Sequence, residues 1–355
     1  LGGTMRMIQL TGSKATERFT ASHILRLYNQ GRGSDFEHVS LISSFIPSLL
    51  IGGYSPIDYS DASGMNLLDI EACQWSTDCL NAASCGNEHE LRMQLGEVIV
   101  PTLTHVGCVS EYMHRTYHFP KQCKVLVGTG DNPSSACGIL RKKSDIAISL
   151  GTSHTLFGYT SKHELPSDGC DTNAYEGHTF VSPLFNNSAN KQEEHTSVPK
   201  FMKLICFKNG ANVRNLLVQR FNNDWRALEE HLAQQVKIHR STSKQNQSTN
   251  QVPIMFAYLH SEITPYTRSA HGIFKYSEDN NTKFVSVKEI EKDDALSIIE
   301  SQCMALKIHA KKAGLLVNNG DEQQRLIVTG GASESKTMVF ILAQVFASDI
   351  YVMEN

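Results

Sequence analysis

No apolar run in this chain approaches the roughly 20 residues that cross a bilayer, and nothing near Leu1 reads as the apolar core of a secretory leader. A membrane span and secretion are therefore not expected, and the sequons at Asn186, Asn246 and Asn280 are expected to be chance matches. An excess of charge is missing too. Charged residues are 19% and the formal net charge is −3, so no long-range field draws in a nucleic acid or an acidic membrane, and the expected partner is a small molecule. The nine cysteines are odd in number, scattered and without a C-x-x-C pair. That pattern argues against a zinc site or a disulfide framework and for a reducing, cytoplasmic setting. No repeat at a solenoid period is visible.

What is present is enough chain for two cores: 355 residues, 40% of them hydrophobic, fit two domains with a cleft. The expected division is 1–140 and 141–355. In the first part the pattern predicts a helix after Thr20 and Ser22 that Gly31 ends, and a strand over 38–43. An apolar run over 45–51 is broken by Pro47, and a loop or short hairpin covers 54–70, with Asp58 and Asp61 as turn formers. Helices are expected over 75–83, 109–118 and 132–140, a weak strand over 98–100, and a buried strand over 124–128 that runs into Gly130 and Asp131. In the second part a hairpin of 145–150 and 154–160 turns at Gly151-Thr152-Ser153, and 201–207 is a third strand. Helices follow over 213–220, 225–236 and 290–312, and a βαβ unit runs from 325 to 353. The polar stretches 161–199 and 241–251 read as surface insertions.

Three glycine-rich sites carry candidate chemistry, because backbone N–H groups without a neighbouring Cβ can approach and point at an anion. The first, Gly151-Thr152-Ser153, adds two hydroxyls, although such a turn is commonly only a hairpin tip. The second, Gly330-Gly331, lies between strand and helix, where doubly wound folds place ligands; taken alone, tight strand-to-helix packing is the favoured explanation. In the third, Gly128-Thr129-Gly130-Asp131-Asn132, a strand ends by presenting a carboxylate and an amide at a helix start. Asp131 is either a helix cap, worth about 1 kcal/mol, or a general base toward a hydroxyl that attacks a phosphoryl group.

The order of these sites resembles the actin-like, ribonuclease-H-like ATPases, and within them the FGGY carbohydrate kinases. The wording is most similar to the animal-type xylulose kinases: LTGSKATERFTA at 10–21, YSPIDYSDASGMNLLDI at 54–70, GTGDNPSSACG at 128–138, SDIAISLGTSHTLF at 144–157, LICFKNGANVR at 204–214, EITP at 262–265 and VTGGAS at 328–333. The resemblance implies an α/β, two-lobed actin-like fold. It assigns 1–140 to the sugar-binding domain and 141–355 to the nucleotide-binding domain.

It further implies ATP-dependent phosphorylation of D-xylulose to D-xylulose 5-phosphate. Asp131 would be the base on the 5-hydroxyl, and Asn132 and Arg18 would contact the sugar. Gly151, Thr152 and Ser153 would hold the β- and γ-phosphates, Trp225 would lie near the adenine, and Gly330 and Gly331 would lie against the nucleotide. Mg²⁺ would arrive on the ATP, with no metal ligand in this chain. Ser335 stands where the family has an asparagine, and its shorter reach is expected to weaken adenine or ribose contacts. The family's opening D-x-G-T strand and its last helices have no counterpart between Leu1 and Asn355. The expectation is a fragment, incomplete in both lobes and poorly active alone. The alternatives are a non-catalytic product that binds nucleotide or sugar, a kinase of ribulose, glycerol or gluconate, and, with least support, a chaperone-type ATPase.

Overall fold

Several helix starts in this protein follow a side chain that accepts a backbone N–H. In the computed structural model Asp58 accepts from the amides of Ser60 and Asp61, Ser76 from Cys79, Ser110 from Met113, Asp224 from Arg226 and Ala227, and Ser335 from Met338. Each such cap contributes about 0.5–2 kcal/mol. The structure describes residues 2–96, 99–163, 175–185, 199–245, 252–267, 271–277, 283–316 and 324–353.

The chain opens with α1 (Thr4–Thr11), α2 (Thr20–Asn29), α3 (Ile42–Ile51), β1 (Ile57–Asp58), α4 (Tyr59–Ser63), β2 (Leu68–Asp69) and β3 (Gln74–Trp75). It continues through α5 (Thr77–Ala83), α6 (Glu88–Leu95), β4 (Ile99–Val100), β5 (His105–Cys108), α7 (Glu111–Tyr117), β6 (Lys124–Leu126) and α8 (Asp131–Ile139). Next come β7 (Ile146–Leu150), β8 (His154–Thr160), β9 (His178–Val181), β10 (Phe201–Phe207), α9 (Ala211–Gln219) and α10 (Trp225–Gln245). The last elements are β11 (Met255–Tyr258), β12 (Gly272–Ser277), β13 (Lys283–Val287), α11 (Ala295–Lys312), β14 (Leu326–Thr329), α12 (Lys336–Phe346) and β15 (Ile350–Val352).

Two compact units result. One comprises Leu1–Lys143 with Gly158–Leu204, the other Ser144–Phe157 with Ile205–Asn355. The first unit closes around Met65, Leu67, Leu68, Ile70, Leu80 and Leu91, all wholly buried. Each such leucine contributes roughly 1.5–3 kcal/mol through the surface it removes from water. Its short ladders are β1 with β4, parallel, and β2 with β3 and β5 with β6, antiparallel. The second unit buries Ile148, Leu156, Ile205, Ile298, Leu306 and Leu342. The main sheet has the order β15-β14-β7-β8-β10-β9, with β14 parallel to both β7 and β15. The expected βαβ unit is therefore β14-α12-β15. A separate antiparallel sheet, β11-β12-β13, was not legible in the sequence pattern.

Two expectations are corrected. Residues 38–43 form no strand; α3 begins within them, at Ile42, and runs through Pro47 to Ile51. Proline lacks the N–H that would bond the Ser43 carbonyl, and that freed carbonyl becomes a packing surface for the loop before α8, as described below. The stretch 161–199 is not wholly an insertion either. Residues 164–174 and 186–198 lie outside the described residues, as do 246–251, but His178–Val181 is a sheet strand whose Thr179, Phe180 and Val181 are buried.

Candidate functional site

In the first unit the route to Asp131 starts at Pro47. A Cβ on Gly128 would lie 1.9 Å from the Ser43 carbonyl oxygen, the one that Pro47 leaves without its helical donor. Only a glycine lets the chain leave β6 so close to α3. A Cβ on Gly130 would lie 2.9 Å from Asp61 Oδ1, so the second glycine admits a carboxylate beside the backbone. Asp61 is in turn fixed by the Ser43 hydroxyl, which donates to Oδ2. Thus α3 and α4 together set where the Thr129–Asp131 segment runs.

Asp131 is then the first residue of α8, with Gly130 as its N-cap and no side-chain cap hydrogen bond. Its carboxylate is exposed and accepts from the Asn132 backbone N–H at 2.7 Å and from Asn132 Nδ2 at 3.0 Å. Asp131 thus stands one position inside the N-cap and still accepts one first-turn amide of α8, so the bond to Asn132 N is compatible with a helix-start role. Two further carboxylates stand behind it. Burial raises the Asp61 pKa; the Ser43 hydrogen bond opposes this and the charge of Asp131 adds to it. Burial pushes Asp58 up to about 6, against the hydrogen bond from Thr102. Asp58 is the structural residue the sequence suggested, the cap of α4. Asp61 was read as a turn former, and nothing in its local spacing revealed that it lies beside Gly130.

Arg18 is exposed, and its charge is felt by His178, which burial, then Lys203, Arg18 and Lys14, hold down at about 4. Among the described residues no hydrogen bond or ion pair joins Arg18 to Asp131.

In the second unit the glycine turns meet. Gly330 has φ +89°, and a Cβ there would lie 3.1–3.2 Å from Leu150 N, Leu150 C and Gly151 N, so the position demands glycine twice over. Gly331 beside it is exposed, and a Cβ on it would meet nothing within 4 Å. The Gly151–Ser153 turn is clasped from the other side by the start of α9. Ala211 N donates to the carbonyls of Gly151 at 3.2 Å and Thr152 at 3.0 Å. A Cβ on Gly210 would lie 2.8 Å from Thr152 O. Arg214 Nη2 donates to Leu150 O at 3.1 Å and Gly151 O at 3.2 Å. Thr152 and Ser153 are exposed.

The segment before α9 is itself anchored by Glu262, which is buried. Its carboxylate accepts from Lys208 N at 2.6 Å, Asn209 N at 3.2 Å and Asn209 Nδ2 at 2.7 Å. The Lys208–Gly210 and Glu262–Pro265 segments therefore act together to seat Gly210 against the turn.

Trp225 opens α10 and is 48% exposed. One turn on, on the same face, Glu229 accepts from the Ser335 hydroxyl and from Thr337 N at 2.9 Å. Although burial raises the Glu229 carboxyl, these hydrogen bonds hold it below its usual value. The Ser335 hydroxyl thus both caps α12 and ties that helix to α10. Arg214 and Glu229 were not singled out from the sequence, since an arginine or glutamate within a helical pattern carries no signal of its partner.

Glycine turns at the ends of parallel strands in one unit, and a strand-to-helix carboxylate in the other, are the parts of a phosphotransfer fold. Residues 146–355 match the C-terminal domain of the FGGY family of carbohydrate kinases, and the chain belongs to that family. Across its full length it is 35% identical to the xylulose kinase of Rattus norvegicus and 36% identical to that of Mus musculus. It spans 58% and 57% of those two proteins. The crystal structure of xylulose kinase from Lactobacillus acidophilus superposes with a TM-score of 0.73 at 16% identity, over 99% of this chain and 63% of that one. The fold is the actin-like ATPase fold of these kinases.

Proposed function

We propose that this chain carries the phosphoryl-transfer residues of a D-xylulose kinase, which converts ATP and D-xylulose to ADP and D-xylulose 5-phosphate. The observation that carries the reading is Asp131, an exposed carboxylate at the first position of α8 whose hydrogen bonds go to its neighbour Asn132, reached through a segment that needs glycine at 128 and 130. In this reading Asp131 accepts the proton of the 5-hydroxyl as that oxygen attacks the γ-phosphorus, the bond to the β–γ bridging oxygen breaks, and ADP leaves. Asn132, bonded to Asp131, orients the carboxylate and contacts the sugar, and Arg18 is a further sugar contact.

Gly151, Thr152 and Ser153 receive the β- and γ-phosphates; their exposed hydroxyls and inward-turned carbonyls suit an anion. Gly330 and Gly331 lie along the nucleotide, the open space at Gly331 being a cradle a side chain would fill. Trp225 packs near the adenine. Ser335 is the residue assigned to the ribose or adenine, and its hydroxyl is engaged with Glu229, which fits a weaker contact than a longer amide would make. Among the described residues no group of three or more His, Cys, Asp or Glu could hold a metal ion. In this reading Mg²⁺ arrives on the nucleotide, where it would offset phosphate charge. The location proposed is cytoplasmic; no helix of the described residues is long and apolar enough to cross a membrane.

The test is a coupled ADP-release assay of the purified protein against a panel of D-xylulose, ribulose, glycerol and gluconate. D-xylulose-dependent turnover at least about tenfold above the other substrates in kcat/KM supports the reading. Preference for another member of the panel sinks the assignment of the sugar, and ADP release that ignores every sugar sinks the kinase.

A further inference from the structure

Behind the Gly151–Ser153 turn lies a charge that nothing yet described balances. Arg214, on the first turn of α9, is only 3% exposed. Its guanidinium spends Nη2 on the carbonyls of Leu150 and Gly151, and Nη1 donates to His154 Nε2. Its Nε–H is buried with no hydrogen-bond partner among the described residues. Burial lowers the Arg214 pKa to about 10, which leaves it a cation at neutral pH; the Cys303 thiol, whose negative form would oppose this, is itself pushed up to about 12 by burial and is neutral there.

His154 does not compensate either. Burial, then the charge of Arg214, lowers the imidazole to about 3, so it stays neutral, and Nε2 accepts from Arg214 without supplying a counter-charge. A buried cation without a counter-charge is costly, because it has given up its hydration without an opposite charge in return. The fold therefore maintains an expensive positive charge a single peptide behind the turn on which the phosphates are placed.

The hydrogen bonds direct that charge outward. Leu150, Gly151 and Thr152 all have their carbonyls held toward the interior, by Arg214 or by Ala211 N. With these negative ends engaged, the exposed residues of the turn offer their donor groups to solvent, and the guanidinium behind them adds to the same positive potential.

We propose that Arg214 is a positioning residue for the nucleotide's phosphates, fixing the 150–152 carbonyls inward and supplying, through the turn, the counter-charge that a bound diphosphate completes. This rests on the nucleotide reading of the Gly151–Ser153 turn. It makes the phosphates, not the adenine, the part of the ligand that depends on Arg214.

The experiment compares the affinities of ADP and adenosine for the wild-type protein, Arg214→Met and Arg214→Lys by titration calorimetry, with near-UV circular dichroism as the check on folding. The expected result is an ADP affinity about tenfold or more weaker in Arg214→Met, adenosine affinity within about twofold of wild type, and partial recovery of ADP binding in Arg214→Lys, which keeps the charge but not the fork. Equal losses for ADP and adenosine would mark Arg214 as merely structural and overturn the proposal. So would unchanged ADP binding in Arg214→Met. If Arg214→Met does not fold, the ratio of ADP to adenosine affinity in Arg214→Lys decides: a ratio equal to wild type overturns the proposal and a fall in it supports the proposal. Wild-type protein that binds no ADP would remove the nucleotide reading itself, a result distinct from either variant outcome.

Discussion

At the scale of single residues, the carboxylates of the first unit divide by environment. Asp131 is exposed and engaged only with its neighbour, whereas Asp58 is buried under Thr102 and the start of α4. Burial raises Asp58 from 3.8 to about 6, so the folded state holds its proton more tightly than the unfolded chain. The folded protein binds more protons in that window, and stability must fall as pH rises through it. The contribution is complete below about pH 4 and gone above about pH 6, an effect on the order of 2–3 kcal/mol. Asp58→Asn keeps an acceptor for one of the Ser60 and Asp61 amides, which bond different carboxylate oxygens, and removes the titration. Urea unfolding at pH 4 and pH 7 is expected to show a smaller pH-dependent loss in the variant than in the wild type. An identical difference between the two pH values in both proteins would contradict the buried-carboxylate account.

At the scale of elements, the site depends on backbone approaches that side chains would block. Gly330→Ala has to place a Cβ at φ +89° within 3.1–3.2 Å of the Leu150–Gly151 backbone, a strain of about 1–3 kcal/mol. The expected outcome is a lower melting temperature together with weaker ADP binding, whereas Gly331→Ala, which meets open space, is expected to leave stability within about 0.5 kcal/mol. Calorimetric melting of the two variants with and without ADP checks both.

The hairpin β7-β8, the third strand β10 and the β14-α12-β15 unit were legible because apolar runs, glycine turns and helical spacing agree there. The order of glycine sites made the family legible as well. Three things were not. The strand β9 is short and enclosed by polar sequence; 38–43 alternates like a strand, yet α3 takes over at Ile42 and passes through Pro47. The neighbours Asp61–Gly130, Arg214–Gly151 and Glu229–Ser335 join residues 63 to 106 positions apart, and no local period encodes such contacts.

At the scale of the molecule, two separate cores predict separable responses to ligands. The residues proposed for the nucleotide, Gly151–Ser153, Gly330 and Gly331, belong to the unit of Ser144–Phe157 and Ile205–Asn355, and those proposed for the sugar, Arg18, Asp131 and Asn132, to the other. A ligand stabilises what it binds by mass action. ADP is therefore expected to raise the melting of the second unit and D-xylulose that of the first, read as two components in differential scanning calorimetry or by hydrogen exchange. Protection of the same unit by both ligands would contradict the division of labour.

The central claim is that Asp131 takes the proton of the attacking hydroxyl, and the most direct measurement of it is the steady-state phosphorylation of D-xylulose by Asp131→Asn beside the wild-type protein. A positioned general base contributes about 10²–10⁴-fold, and the amide keeps the shape of the side chain while losing the ability to accept that proton. The account predicts a fall in kcat of at least about 100-fold with ADP affinity within about twofold of wild type. Near-normal turnover by Asp131→Asn would contradict it.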